Sequence, residues 1–462
     1  MIKKFFGNKN FYKMVLLIAL PIMLQNFITN FVNMLDNIMV GALGTEEMTG
    51  VSIVNQLIFI FNLTIFGAIS GAGIFTAQFF GKKDDDGIRY TLRFKVIIAA
   101  IICAAALVIF LTMGDTLINL YLHDGSYDCD LEATFAHAKT YLAIILVGLI
   151  PYAVVQVYAS TLRETGQTLM PMLFGFAAVL VNCLFNYLLI FGKFGFPQLG
   201  VAGAAAATVL SRFVECAVTL IYVWIKKERY AYFKQALASL YIPGPLLLDI
   251  IKKGLPLLVN ECLWSGGMSL LSMTYSYHGL AVMAGYSISS TVINLFNIAF
   301  MAFGTSVGII VGKQLGAGEE EEAVDTVRKL ITFSILISIF VGAITFAVGD
   351  LIPELYQTTA ESKMYAAYFI RVCACFMPVV GFAHAAYFTL RSGGKTIVTF
   401  FFDSVYIMVI VVPTAFALYY FFHQSIWVIF PVIQAMDILK CVVGLILIKK
   451  RVWVNNIVGE AA

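Results

Sequence analysis

The stretch LPIMLQNFITNFVNMLDNIMVGALG, residues 20–44, returns in altered form as LPLLVNECLW at residues 255–264, with Pro21 and Pro256 separated by 235 residues. The same offset aligns Gly81 of FFGKKD with Gly316 of QLGAGE, each closing an apolar stretch with acidic residues close behind. Two distant pairs sharing one offset argue for an internal duplication. Further along, LRETGQT (162–168) matches LRSGGKT (390–396) at an offset of 228, the shortening being taken up in loops. The chain therefore reads as two copies of one unit.

Each copy is strongly apolar. Of 462 residues, 60% are hydrophobic and 12% charged, whereas a soluble domain carries about a quarter charged. That deficit excludes an ordinary cytosolic enzyme. Cutting at charged and Gly/Pro-rich breaks leaves twelve apolar stretches, near 14–40, 50–80, 91–113, 138–161, 168–192, 199–225, 250–276, 280–312, 327–349, 363–389, 396–421 and 425–448. A span needs about 20 apolar residues, and the excess in several stretches implies tilt, kinks or helix ends in water. The expected fold is an all-α integral membrane protein, with twelve transmembrane helices in two pseudo-symmetric six-helix bundles. Its boundaries are an N-lobe at 1–225, a cytoplasmic linker at 226–249 and a C-lobe at 250–462. Six helices per copy leave both copies in one orientation, as parallel repeats about an axis along the membrane normal that enclose a central cavity.

The formal net charge of +3 gives no argument for nucleic acid as a partner. The placement of the charges is informative. Of the 30 Lys and Arg, 25 fall on the side holding the termini, Lys95 and Lys440 among them. Only Lys139, Lys193 and Lys363 face the other side, with Arg212 and Arg371 left inside helices. Positive loops stay cytoplasmic, so both termini are expected there, in a multi-pass protein of the cell membrane. The start, MIKKFFGNKNFYK, runs into a long apolar segment without a small-residue cleavage site and reads as a retained first helix rather than a signal peptide. Seven of the eight cysteines lie in apolar stretches and read as small buried hydrophobes, while Cys129, in a polar loop, has no evident loop partner. No disulfide is expected. The runs Asp84–Asp86 and Glu319–Glu322 are placed to begin helices, where acids are favoured. There is no HExxH motif and no GxxxxGK[ST] phosphate loop, and no GK[ST] follows the glycines at 67–73, so neither a cofactor nor ATP hydrolysis is expected, and the energy source is an ion gradient.

A carboxylate in a spanning helix costs a few kcal/mol, which makes it a functional candidate by default. Asp36, in FVNMLDNIMVG, is the clearest case and is suited to alternate between protonated and charged forms; the competing reading is a permanent hydrogen bond to Asn or Thr neighbours. Asn182 and Asn186 are four apart and share a helix face. With Asp36 and Thr208 they offer either hard oxygen ligands for Na+ or a hydrogen-bond network around a protonatable Asp; polar glue between helices is the alternative. Glu261 lies five residues after Pro256 as Asn26 does after Pro21, while the position matching Asp36 is Leu271. The halves therefore place their acids differently. Trp264, one turn on from Glu261, offers a ring face to a cation. Asp403 is the other deep acid of the second half. His384 is a titratable candidate, or else a core hydrogen-bonder. Arg212 with Glu215 and Asp437 with Lys440 are i,i+3 pairs at an offset of 225 with reversed order of charge. They are expected to neutralise themselves within each helix, or, more boldly, to latch the lobes alternately through Arg212 and Asp437.

The segments LPIMLQNFITNFVNMLDNIMVGALG, AQFFGKKD, ASTLRETGQTLMPM, NCLFNYLLIFGKFGFPQLGVAGAAAAT, GLPLLVNECLW, VGKQLGAG and LRSGGKT together resemble the multidrug and toxic compound extrusion (MATE) transporters over nearly the whole chain. The resemblance implies a two-lobed exporter, not an enzyme, that exchanges inward H+ or Na+ for outward organic cations. It implies that Asp36 is the central acid of the N-lobe and that Glu261 and Asp403 match acids of the C-lobe. Many relatives carry Asp where Asn186 stands, and some carry an acid where Val380 stands, one turn before His384. Aromatic residues at 14% and 17 Met suit promiscuous packing around drug-like ligands. Two other functions compete: a flippase for a lipid-linked saccharide or other lipid, which calls for a cationic cavity, and a membrane-embedded transferase, for which the loop DGSYDCDLEAT is the best catalytic segment. A monomer surrounded by membrane lipids is the expected state.

Overall fold

The computed structural model describes residues 5–122, 130–356 and 358–459, and twelve long helices run through them. Lys3, Lys4, Cys129 and most of the DGSYDCDLEAT loop lie outside the described residues. The helices are α1 Lys9–Gly41, α2 Thr45–Lys82, α3 Asp85–Asn119, α4 Leu131–Glu164, α5 Leu169–Phe191, α6 Val201–Lys226, α7 Gly244–Ser276, α8 Leu280–Gly316, α9 Glu320–Val348, α10 Ala360–Ser392, α11 Thr396–Tyr420 and α12 Ile426–Lys449. Eleven are long and apolar enough to cross a membrane. The exception is α7, whose middle carries Asn260, Glu261, Ser265, Gly266 and Gly267. This is an all-α membrane protein, and each expected apolar stretch coincides with one helix. At 38 residues, α2 is about 57 Å long, so it extends well beyond the roughly 30 Å hydrocarbon layer. Large apolar side chains such as Leu111 (74% exposed) and Ile101 point outward from α3, as lipid-facing surface must. The acidic runs fall in the first turns of α3 (Asp85, Asp86) and α9 (Glu320, Glu321, Glu322). There they satisfy the positive end of the helix.

The chain packs as two compact units. One holds 24–76 and 85–247; the other holds the described residues up to Met23, 77–84 and 248–459. In the first, α6 packs along α5 and against α4, which in turn packs on α3. In the second, α10 is central and touches α8, α9 and α12. Its core joins Val15 of α1 to Val307, Leu330, Phe388 and Trp453, the last from the segment after α12 and 1% exposed. A second, aromatic core gathers Tyr275, Phe369 and Phe430. The buried Gln78 fixes that terminal segment: its Nε2 donates to the carbonyls of Ser392 (2.9 Å) and Asn455 (3.1 Å), and its Oε1 accepts from the Ile457 amide (2.9 Å).

The duplication is visible atom by atom in the turns. After α4, Gly166 (φ 83) closes a cap in which the Gln167 amide donates to Leu162 O at 2.7 Å. After α10, Gly394 (φ 72) does the same, with the Lys395 amide on Leu390 O at 3.3 Å. Such a left-handed residue ends a helix by satisfying its last carbonyls. The first pair of copies repeats the device: Asp84 donates to Phe79 O and Glu319 to Gln314 O, both at 3.0 Å, across Lys83 (φ 61) and Gly318 (φ 78). The two glycines that revealed the offset also meet. A Cβ on Gly81 would strike the Lys313 carbonyl and one on Gly316 the Gln78 carbonyl, so α2 and α8 cross backbone to backbone at their ends.

Three readings of single residues are corrected. Lys95 and Lys440 are not loop cations: both lie within helices, with side chains 0% and 12% exposed. Lys95 pairs with Glu164 and donates to Thr161 Oγ1 at 3.1 Å, joining α3 to α4. Among the seven described cysteines, all free, only Cys103 is buried, and Cys262 and Cys375 are exposed.

Candidate functional site

Asp36 lies 28 residues into α1 and faces α5. Asn186 Nδ2 donates to its Oδ1 at 2.5 Å and to Asn182 Oδ1 at 3.1 Å, while Asn182 Nδ2 donates to Thr208 Oγ1 at 3.2 Å. The helical spacing of the two asparagines thus does what their register promised, with Thr208 of α6 completing the group. The Asn182 amide is best satisfied in the reverse orientation, its nitrogen donating to Asp36 Oδ1 at 2.8 Å and its oxygen accepting from Thr208 Oγ1 at 3.2 Å, so that amide nitrogens of both asparagines face the carboxyl. Asn186 Oδ1 is buried and has no hydrogen-bond partner among the described residues. Buried polar atoms are rarely left so, which marks this acceptor out in the group around Asp36. No basic side chain lies within ion-pair distance of Asp36 among the described residues. Sequence reasoning missed Tyr141, which reaches Thr208 and Asn55, the latter at 3.3 Å. A tyrosine in an apolar helix gives little signal by itself, since its ring packs equally well anywhere.

Arg212 and Glu215 remain together on α6 at 3.7 Å, and the guanidinium lies 4.7 Å from the centre of the Tyr152 ring. The second expected helical pair differs. Lys440 Nζ donates to Asp403 Oδ1 of α11 at 2.5 Å rather than closing on Asp437. One turn of helix separates Asp437 from Lys440, but the Asp403 carboxylate stands directly across from the ammonium, and a direct charge-assisted bond outweighs an i,i+3 contact.

Asp403 sits where α11 winds as a π-helix, Phe401–Val405, followed by a second such stretch, Ile407–Val411. Single π turns in α-helices are frequent at functional sites because they re-aim a side chain. Ser404 anchors the stretch: its Oγ donates to Asn260 O at 2.6 Å and to Asn260 Oδ1 at 2.7 Å. Asn260 Nδ2 is thereby turned toward Asp403 Oδ2 and the Tyr387 hydroxyl, each at 3.4 Å. Glu261, next in the chain, has the Arg391 guanidinium and Asp403 as its charged neighbours. Trp264 is 41% exposed. His384 Nδ1 contacts the Val380 carbonyl of its own helix at 3.0 Å, the local contact of a core histidine, although Lys440 and Asp403 are its nearest charges. The structure thus brings Glu261, Asp403, Asp437, Lys440 and Arg391 into one cluster of three acids and two bases. An apolar crevice of about 540 Å³ between α3, α4 and α6, lined by Leu107, Leu111, Val147 and Phe213, contains none of these acids.

The MatE family model matches residues 21–188 and again 256–421, so its two copies begin at the two prolines that are 235 apart. The chain belongs to this family of membrane transporters, which are not enzymes. It is 27% identical over 417 residues to the probable multidrug resistance protein NorM of Thermotoga maritima, covering 90% of this chain and 87% of that one. It is 23% identical to the probable multidrug resistance protein YoeA of Bacillus subtilis, covering 92% and 91%. Among solved structures it superposes with a TM-score of 0.84 on a MOP-superfamily transporter from Pyrococcus furiosus described as having a binding pocket of reverse polarity, at 19% identity and 97% coverage of both chains. An outward-facing multidrug resistance MATE transporter gives 0.82 at 18% identity, covering 97% of this chain and 98% of that one. These superpositions establish the MATE fold.

Proposed function

We propose that the protein is an ion-coupled antiporter that exports amphipathic organic cations in exchange for H+ or Na+. The observation that carries this reading is Asp36, a carboxyl inside a spanning helix that takes its hydrogen bonds from the neutral amides of Asn186 and Asn182 and has no basic side chain at ion-pair distance among the described residues. A proton or Na+ entering from outside satisfies Asp36, and the lobe then releases the organic cation; the two compete because they prefer different charge states of the same cavity. Na+ would draw on Asp36, Asn182, Asn186 and Thr208, and Glu261, Asp403, Trp264 and His384 would face the substrate or a second proton. The lobes 1–225 and 250–462 rock about the 226–249 linker, with both termini in the cytoplasm of a cell-membrane monomer. The names of the NorM and YoeA relatives support the choice of drug-like substrates.

The test is ethidium efflux from proteoliposomes under a proton gradient and, separately, a sodium gradient. Efflux under one alone identifies the coupling ion, and Asp36→Asn is expected to abolish it. Efflux under neither would overturn the reading in favour of a flippase, although three acids against two bases is an unsuitable cavity for a pyrophosphate lipid.

A further inference from the structure

The second unit contains an ammonium where a ligand cation would be expected. Lys440 and Asp403 lie 2.5 Å apart with side chains only 12% and 17% exposed, and the Lys440 nitrogen also rests 5.2 Å from the centre of the Phe402 ring. Carboxylate and aromatic face together form the kind of seat that receives an organic cation. Asn260, locked by Ser404, supplies the polar contact to the other carboxylate oxygen. We propose that Lys440 is a tethered cation that fills this seat, so that a monovalent metal or organic cation binds at Asp403 only by displacing it. Lys440 is then a specificity-determining residue. It keeps Na+ out of the C-terminal cluster and sets the threshold of affinity that an organic cation must exceed there.

The charges support a substitution of one cation for another rather than a static pair. Asp403 and Asp437 are the acids around Lys440, whereas the Arg391 guanidinium acts on Glu261. Removing the ammonium leaves the Asp403 carboxylate and the Phe402 ring face without their cation in a low-dielectric setting, which attracts any cation that can reach them. Among the described residues no Lys or Arg pairs with Asp36, and Arg212, the cation that acts on it, pairs with Glu215 instead, which makes the Asp36 site the control within the same molecule.

This inference rests on the exporter reading only for the claim that the cluster faces a ligand, and its test does not require transport. Tetraphenylphosphonium binding is measured on purified protein in detergent, in an Asp36→Asn background that removes the other acid site. Lys440→Met is expected to bind tetraphenylphosphonium about tenfold more tightly than the Lys440 parent, about 1.4 kcal/mol, and to gain a thermal stabilisation by NaCl over choline chloride that the parent lacks. Lys440→Arg is expected to match the parent. The double variant Asp403→Asn/Lys440→Met is expected to lose both gains. Lys440→Gln, which keeps an amide donor for Asp403, carries the same expectation if the Met variant does not fold. Unchanged affinity in the Met and Gln variants, or a gain that survives Asp403→Asn, would overturn the tether. Tighter binding with no efflux from wild-type proteoliposomes would leave the tether standing and remove the exporter.

Discussion

Asp36 and Asp403 are both carboxyls inside spanning helices, yet one is met by amides and the other by an ammonium. Around Asp36, Asn182 and Asn186 present neutral amides, and Asn186 Oδ1 has no partner among the described residues. Around Asp403 every contact is one-way: Lys440 only donates, and Asn260 is fixed by Ser404. Asp36 therefore has neutral partners, and losing its charge strands no other charge. The partner of Asp403 is itself charged, so removing either group leaves the other buried without its direct bond. Two halves built on one duplicated frame thus surround their acids differently, one with amides and one with a cation.

The largest effect expected comes from breaking that contrast. Asn186→Lys places an ammonium against Asp36, copying the Asp403 arrangement, and is expected to reduce ion-driven ethidium efflux by about two orders of magnitude, as Asp36→Asn would. Folding should be retained, checked by a monodisperse elution profile and an unchanged helical CD spectrum. Ion-driven efflux at the wild-type rate would show that the amide ring is not what couples the ion. The opposite change, Asn186→Asp, sharpens the contrast by adding a second carboxylate; it is expected to tighten Na+ binding about tenfold, read by thermal stabilisation in NaCl.

The Lys95 and Glu164 pair provides a calibration, because it is a buried acid and base joining α3 to α4 away from both acid sites. Lys95→Met strands the Glu164 carboxylate, and about 3–5 kcal/mol of stability is expected to be lost. The double variant Lys95→Met/Glu164→Gln should recover most of it. Thermal unfolding in detergent measures both. If the single variant cost nothing, buried pairs in this protein would be too well hydrated for the Lys440 argument to stand.

A smaller effect tests the shared frame itself. Gly81 and Gly316 cross so closely that Gly316→Ala drives a methyl group into the Gln78 carbonyl, with an expected loss of about 1–3 kcal/mol from overpacking. Gln78→Ala leaves the Ser392 and Asn455 carbonyls and the Ile457 amide without their shared partner, with a loss of about 1–3 kcal/mol for buried groups left unpaired. Limited proteolysis should then cut after Lys449 or Lys450 sooner than in wild type. Unchanged cleavage would mean that the other anchors of the terminal segment, Trp453, the Lys82 bond to the Val458 carbonyl and the Arg451–Glu321 ion pair, hold it without Gln78.

The fold was legible because its signals are long. Twelve apolar stretches, two prolines at one offset and paired glycines require no knowledge of side-chain packing. Asp36, Asn182, Asn186 and Thr208 were legible too, since helical spacing puts the asparagines on one face and an intramembrane acid draws attention to itself. The Lys440 pairing was not, because two candidate acids lay within reach and sequence separation favours the nearer one, Asp437. Only the crossing of α11 over α12, re-aimed by the π-wound turns at Asp403, decides between them. Lys95 was misplaced for a related reason: positive-residue counting treats a cation near a helix end as a loop charge, and only its neighbour across the helix pair shows it to be buried.

The smallest effect concerns the one place where the two copies keep a turn but differ in its residue. Gly318 holds its left-handed conformation at no steric cost, whereas Lys83, at the matching position 235 residues earlier, adopts φ 61 with a Cβ. A side chain there crowds the following carbonyl, at about 1 kcal/mol or more. Lys83→Gly is therefore expected to stabilise the protein slightly, by about 0.5 kcal/mol after the greater freedom of glycine in the unfolded chain is subtracted. Gly318→Lys should destabilise it by a similar margin or more. Paired thermal unfolding curves read the two changes, and opposite signs are the required outcome. Equal signs would mean that the matching caps share hydrogen bonds but not strain, and that the lysine is held by something other than the turn it closes.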